Sequence, residues 1–159
     1  MLGYLSGYSI FLAAHRRLLT RLRRWGYLED TTCSLCNTEE ETIDHLFFKC
    51  SFSTQVWAAV LDWQGINRQV MVWDHELEWA ERHCKGRSSK AEIYRMTLAD
   101  NIYYIWQERN ARIFQAKQRN VATITRLLMQ EIHYRGKLKQ RLKGRLLELN
   151  YYPIVRIDM

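Results

Sequence analysis

The sequence predicts an all-α fold, and three observations carry that prediction. One proline and seven glycines punctuate 159 residues, which favours long uninterrupted elements over many turns. Apolar residues recur every three or four positions in several windows, the spacing that lines one face of a helix. The hydrophobic share is 47%, with six Trp and nine Tyr, enough for those faces to bury a real core. The length fits one domain, or one domain with a small appendage.

Taken in order, residues 4–25 read as a first helix, with Phe11, Leu18, Leu22 and Trp25 holding the helical spacing until Gly26. Its opening apolar run has no basic residue before it, unlike a secretory leader. No stretch reaches the ~20 apolar residues that span a bilayer. An intracellular chain, nuclear or cytoplasmic, with no membrane partner is therefore expected. Residues 26–32 connect to a cysteine-rich segment, treated below. "STQVWAAVLDW" at 53–63 reads as a helix with Val56, Val60 and Trp63 on one face. Residues 64–72 form a loop or a short extended piece, and 74–84 a short helix anchored by Leu77 and Trp79. Its His75, Glu76, Glu78 and His83 read as a solvated face, because eight positions separate the two histidines, two turns, too far to share an ion. Cys84 reads as an incidental thiol.

Ser89 and Glu92 fit a capping box that starts the longest helix, 89–117. Its stripe is Ala91, Tyr94, Leu98, Ile102, Ile105, Trp106 and Ile113. Arg109 and Asn110 lie on that stripe and are expected to hydrogen-bond within the fold. Asn120 caps a second long helix with Leu127, Tyr134, Leu138, Leu142 and Leu149 at helical spacing, stopped by Pro153. The tail adds a strand or stays loose.

"CSLCNTEEETIDHLFFKC", 33–50, holds three of the four cysteines and one histidine, spaced Cys33-x2-Cys36-x8-His45-x4-Cys50. Thiolates and an imidazole in this pattern suit one tetrahedral zinc ion, and four protein ligands leave no position for water, so the site is read as structural. The alternatives are a disulfide in a secreted chain or unrelated buried thiols. Thr38 and Glu41 form a possible capping box for a short helix that brings His45 to the cysteine pair. Leu46, Phe47 and Phe48 supply an apolar floor. Three thiolates and a neutral imidazole leave a charge of −1, which Arg23, Arg24 and Lys49 are placed to offset. The fold class is thus an all-α, zinc-stapled multi-helix domain with a short Cys-Cys-His-Cys segment and two long C-terminal helices.

The stretch 22–57, "LRRWGYLEDTTCSLCNTEEETIDHLFFKCSFSTQVW", resembles the zinc-binding domain near the C-terminus of plant LINE-type, non-LTR reverse transcriptases. The resemblance is carried by Arg23, Arg24, Gly26, Cys33, Cys36, Glu41, Thr42, His45, Leu46, Phe47, Cys50, Val56 and Trp57. "IWQERNARIF" at 105–114 resembles the helix that commonly follows. The resemblance implies a zinc-stabilised helical segment that handles template RNA or target DNA. The chain departs from the family in beginning close to the motif, with no polymerase before it. The organisation expected is a reverse-transcriptase-type zinc-binding domain at 1–63, a linker with a short helix at 64–88, a basic two-helix region at 89–150, and a tail at 151–159.

No catalytic residues are expected. Asp30, Asp44, Asp62, Asp74, Asp100 and Asp158 are never adjacent, whereas a polymerase needs paired carboxylates for two metal ions. There is no phosphate loop of the P-loop type and no nucleophile elbow. The formal net charge of +7 points to polyanionic partners. Between 109 and 145, eleven basic residues face the single acid Glu131. Arg126, Arg135, Lys137, Lys139, Arg141, Lys143 and Arg145 are candidates for phosphate contacts, as are Arg16, Arg17, Arg21, Arg23 and Arg24. His133, Tyr134, Tyr151 and Tyr152 are placed to stack on bases, although for His15 and His133 the reading as ordinary helix residues is favoured. The function expected is non-catalytic binding of RNA or DNA with weak sequence preference. The alternatives are a zinc-stabilised protein-interaction module, with a partner or a second copy, and an inert element-derived fragment.

Overall fold

The computed structural model describes residues 31–149. The expected 4–25 helix, the basic set Arg16 to Arg24, His15, Tyr151, Tyr152 and the tail lie outside them. Among the described residues there is no strand, only an isolated antiparallel bridge between Thr32 and Glu40. A single π-helical turn spans His45–Lys49. Five α-helices follow: α1 (Ser51–Trp63), α2 (Trp73–His83), α3 (Ser89–Gln115), α4 (Val121–Lys137) and α5 (Lys143–Glu148), with a 3₁₀ turn at Gln140–Leu142 before the last.

Val56, Trp57, Val60 and Leu61 of α1 meet Ile124, Leu128 and Ile132 of α4 and Ile93, Tyr94, Ile102 and Ile105 of α3 in one apolar cluster. Leu46, Phe47 and Phe48 of the π turn belong to the same cluster, so the cysteine-rich segment sits directly on the helical core. The stripe expected on α3 is buried over Ala91 to Ile105, with Trp106 and Ile113 half-buried at its far end.

The loop 64–72 is fastened from within. Arg68 donates two hydrogen bonds to Glu76, at 2.8 and 2.7 Å, and stacks over the Trp79 ring at 4.3 Å. Glu76 is fully buried and also accepts from the Met71 N–H at 2.9 Å. This corrects the solvated reading of the 74–84 face for Glu76 alone; His75, Glu78 and His83 are exposed. A buried carboxylate needs such partners, because desolvation would otherwise outweigh its charge interactions.

Two local expectations shift by a residue or a turn. Ser88, not Ser89, caps α3, its Oγ accepting from the Ala91 N–H at 3.2 Å. Ser89 instead donates to the Arg141 carbonyl, and Glu92 turns to Lys139 and Arg141, two full charges against one backbone N–H. Asn120 caps α4 as expected, accepting from the Thr123 N–H at 2.8 Å. The second long helix, however, ends at Lys137 and the chain folds back. Leu142 and Leu149 reach the core only after that reversal, while Tyr134 and Leu138 stand 68% and 79% exposed.

Gly136 lies against the returning segment. A Cβ there would lie 2.5 Å from Leu146 Cδ1, so the buried Leu146 side chain would have to shift. Gly136→Ala is expected to destabilise the chain by about 1–2 kcal/mol despite alanine's better helix propensity. Gly144 has nothing within 4 Å of the same position. Gly144→Ala is expected to stabilise by roughly 0.5–1 kcal/mol. Urea midpoints of the two variants check the opposite signs.

Candidate metal centre

The cysteine pair is set by a tight turn. Thr31–Glu41 runs out and back, with Glu41 N–H donating to the Thr31 carbonyl and Cys33 N–H to the Glu39 carbonyl, each at 2.8 Å. Asn37 closes the turn in the left-handed region (φ 55°), a conformation its short amide side chain tolerates, and its N–H donates to the Cys33 carbonyl. Both sulfurs therefore face one point.

His45 arrives from the other side. Thr42 Oγ1 accepts the His45 N–H at 3.1 Å, so Thr42 caps the turn in place of the Thr38–Glu41 box that the spacing suggests. Glu41 is drawn away by Arg109, whose Nε and Nη2 donate to it at 3.1 and 2.9 Å inside the protein. From His45 the backbone widens into a π turn, with the Cys50 N–H donating to the His45 carbonyl at 2.6 Å. The Leu46 and Phe48 carbonyls accept instead from Ser53 Oγ at 2.5 Å and Thr54 Oγ1 at 2.8 Å. The wide turn delivers His45 and Cys50 to the same side, and π turns of this kind recur at functional sites.

The four ligand atoms of Cys33, Cys36, His45 and Cys50 lie within 4.8 Å of one another. Cys33 Sγ is 3.9 Å from Cys50 Sγ, and Cys36 Sγ is 3.3 Å from His45 Nε2. Zn–S bonds of about 2.3 Å at tetrahedral angles would set sulfurs about 3.8 Å apart. The donor set thus fits one zinc ion, and no disulfide competes, since all four cysteines are free thiols. Cys84 is buried elsewhere and is not in the group.

The surroundings favour anionic sulfur at Cys36 and Cys50 and a retained proton at Cys33. Burial pushes the Cys36 thiol up, but the Thr38 hydroxyl and N–H, the Glu39 N–H and His45 outweigh it and hold it below the ordinary thiol value. Cys50 is held down mainly by the hydrogen bond from Cys33, with the Phe52 and Ser53 N–H groups at the start of α1 adding to it. Cys33 is pushed up by that same shared proton and by burial. Replacing the proton with a cation is what such a cluster suits. Burial pulls His45 down, yet the neighbouring sulfurs leave it above its usual value. Its Nδ1 lies 3.3 Å from Glu39 Oε2, close enough for a carboxylate to orient the ring although not aligned as a hydrogen bond. Glu39 was not picked out from the sequence; its place in the acidic run "EEE" between the ligands was the available signal.

Leu46, Phe47 and Phe48 are all buried, and Phe48 packs against Trp57 and Trp73 at 6.1 and 5.6 Å between ring centroids. Lys49 pairs with Asp44 at 2.5 Å. Arg112 donates to the Ser34 and Leu35 carbonyls at 3.2 and 3.0 Å, tying the Cys33-x2-Cys36 turn to α3. Arg109 behaves as expected, its hydrogen bonds all internal.

The basic candidates divide. Arg135 pairs with Asp100 at 2.6 Å, Lys139 and Arg141 with Glu92, and Arg145 with Glu148 while also donating to the Gln64 carbonyl. Arg126, Lys137 and Lys143 are exposed.

Residues 7–57 match a protein-family model described as zinc-binding in reverse transcriptase, and all four ligands fall inside that stretch. The matched stretch carries a four-donor site able to hold one zinc ion. No curated protein and no solved structure matched the chain. No helix among the described residues is long and apolar enough to cross a membrane.

Proposed function

We propose that this chain is a non-catalytic, zinc-stabilised nucleic-acid-binding domain related to the C-terminal zinc-binding region of plant LINE-type reverse transcriptases. The observation that carries the reading is the coincidence of a reverse-transcriptase zinc-binding match with a complete four-donor cluster in a chain of net charge +7. Zinc would be held by Cys33, Cys36, His45 and Cys50 and would act as a staple, since four protein ligands leave no open position for a reacting water. The basic helices then meet the phosphate backbone of RNA or DNA, with little discrimination among bases.

Fluorescence anisotropy against a single-stranded RNA oligonucleotide at several salt concentrations tests this. Binding is expected at low salt, weakening linearly in log K against log salt. No binding at low salt, or binding indifferent to salt, overturns it.

One observation favours a second reading, a protein-interaction module. Tyr103 and Phe114, three turns apart on the outer face of α3, are 46% and 66% exposed. A dimer in light scattering, abolished by Tyr103→Ser with Phe114→Ser, would support that reading; a monomer at all concentrations removes its second-copy form.

A further inference from the structure

Folding brings together two basic runs that lie far apart in the sequence. "KGRSSK", 85–90, precedes α3, and "KLKQRLK", 137–143, closes α4 and opens α5. Ser89 Oγ donates to the Arg141 carbonyl at 3.0 Å, and Arg141 Nη1 donates to the Arg87 carbonyl at 3.1 Å. Beneath them lies the carboxylate of Glu92, 7% exposed, gripped by Lys139 and Arg141. It is the only acid in either run or the first turn of α3; none occurs from 132 to 147. Lys85, Arg87, Lys90 and Lys143 are exposed and make no ion pair among the described residues.

This arrangement is electrostatically unfavourable on its own. The start of α3 is the positive pole of a helix of 27 residues, where cations are disfavoured relative to anions. Glu92 offsets only part of the charge. A bound polyanion would relieve the rest. The surface also lies away from the zinc segment. Arg112, which touches the cysteine turn, comes twenty residues after Glu92 on α3, about 30 Å along the axis.

We propose that this surface, formed by Lys85, Arg87, Lys90, Lys139, Arg141 and Lys143, is where the chain holds a nucleic-acid backbone. The inference rests on the nucleic-acid reading above and narrows it. The zinc segment stabilises the fold at one end of α3, and the phosphates bind at the other. Lys139 and Arg141 share their charge with Glu92 but keep about half of each side chain exposed, whereas Arg135 and Arg145, more covered and bonded internally, serve the fold. Lys85, Arg87 and Lys90 join the binding set, although nothing in their short sequence run marked them. Tyr134, exposed one turn before Leu138 at the end of α4, lies five residues before Lys139 and offers a stacking face for an unpaired base.

The test compares two variants of the full chain that shed the same four units of charge. Lys85→Glu/Arg87→Glu alters the patch. Gln115→Glu/Lys117→Glu/Gln118→Glu alters exposed positions at the opposite end of α3. Circular dichroism confirms that both keep the helical fold. Each is titrated with a single-stranded RNA 20-mer across a salt series, and with phosphatidylserine vesicles. The patch variant is expected to lose at least about tenfold in RNA affinity, with a salt slope shallower by about 1.4, while the other changes by less than about threefold. Equal losses in both variants, or none in the patch variant, overturn the assignment of this surface while leaving the nucleic-acid reading in place. Loss of vesicle binding alone in the patch variant assigns the surface to lipid and overturns it likewise. Failure of the unaltered chain to bind RNA sinks both.

Discussion

Chelating the metal from the purified chain, or replacing Cys50 with serine, is expected to lower the thermal midpoint by roughly 10 °C. The size follows from linkage: a ligand present at a thousand times its dissociation constant contributes about 4 kcal/mol, and each kcal/mol moves a chain of this size by about 2–4 °C. The effect reaches the core because the ligands frame it. Cys50 immediately precedes α1, and the Phe52 and Ser53 N–H groups point at its sulfur. His45 begins the turn that buries Phe47 and Phe48 against Trp73. Without the cation, four buried or half-buried donors remain crowded within 4.8 Å, with the protons of three thiols to accommodate. Cys84→Ser is the control. It removes a buried core thiol that lies outside the ligand group, and should leave metal content unchanged. Thermal melts followed by circular dichroism, with and without chelator, give the comparison.

Glu108→Ala is expected to destabilise the chain by about 3–5 kcal/mol, the cost of breaking a buried charge network from one side. Glu108 is fully buried and accepts from Arg112 Nε at 2.9 Å and from the Arg119 N–H and Nε at 2.8 Å each. Removing it takes the carboxylate from two guanidinium groups and leaves Arg112, which holds the cysteine turn and stacks on Phe52 at 4.8 Å, with carbonyl partners only. Loss of metal retention at low zinc should accompany the loss of stability. The pH dependence has a definite sign. Burial alone would raise the Glu108 carboxyl, but the Arg119 N–H and the two guanidinium groups outweigh it and hold it below 4.5. Its contribution is therefore fully present above the unfolded value near 4.5 and lost as pH falls through the lower folded value. Glu108→Gln should flatten that part of the acid limb, measured as urea midpoints between pH 3 and 7.

The ligand set was legible because metal coordination fixes residue type and spacing within eighteen residues. The helices were legible for a related reason: Val56, Val60, Leu98 and Ile102 record the local period directly. What sequence reading missed depends on contacts between distant positions. Glu41 looks like a capping residue until Arg109, 68 positions later, takes its carboxylate. Glu76 looks solvated until Arg68 and Tyr94 surround it. The leucine spacing from 127 to 149 imitates one long helix, yet Leu142 and Leu149 are buried from a different element than Tyr134 and Leu138, which face water. The basic end misled in the same way. Charge is visible in a sequence, but only folding decides that Arg135 meets Asp100 while Arg87 comes to lie beside Arg141.

Cys33, Cys36, His45 and Cys50 are expected to hold one zinc ion per chain, and the metal content of the purified protein measures this. Inductively coupled plasma mass spectrometry should find one zinc per chain, and close to none in Cys33→Ser with His45→Ala. A metal-free wild-type chain with unchanged stability, or a double variant that keeps its zinc, would rule out these four residues as a zinc site.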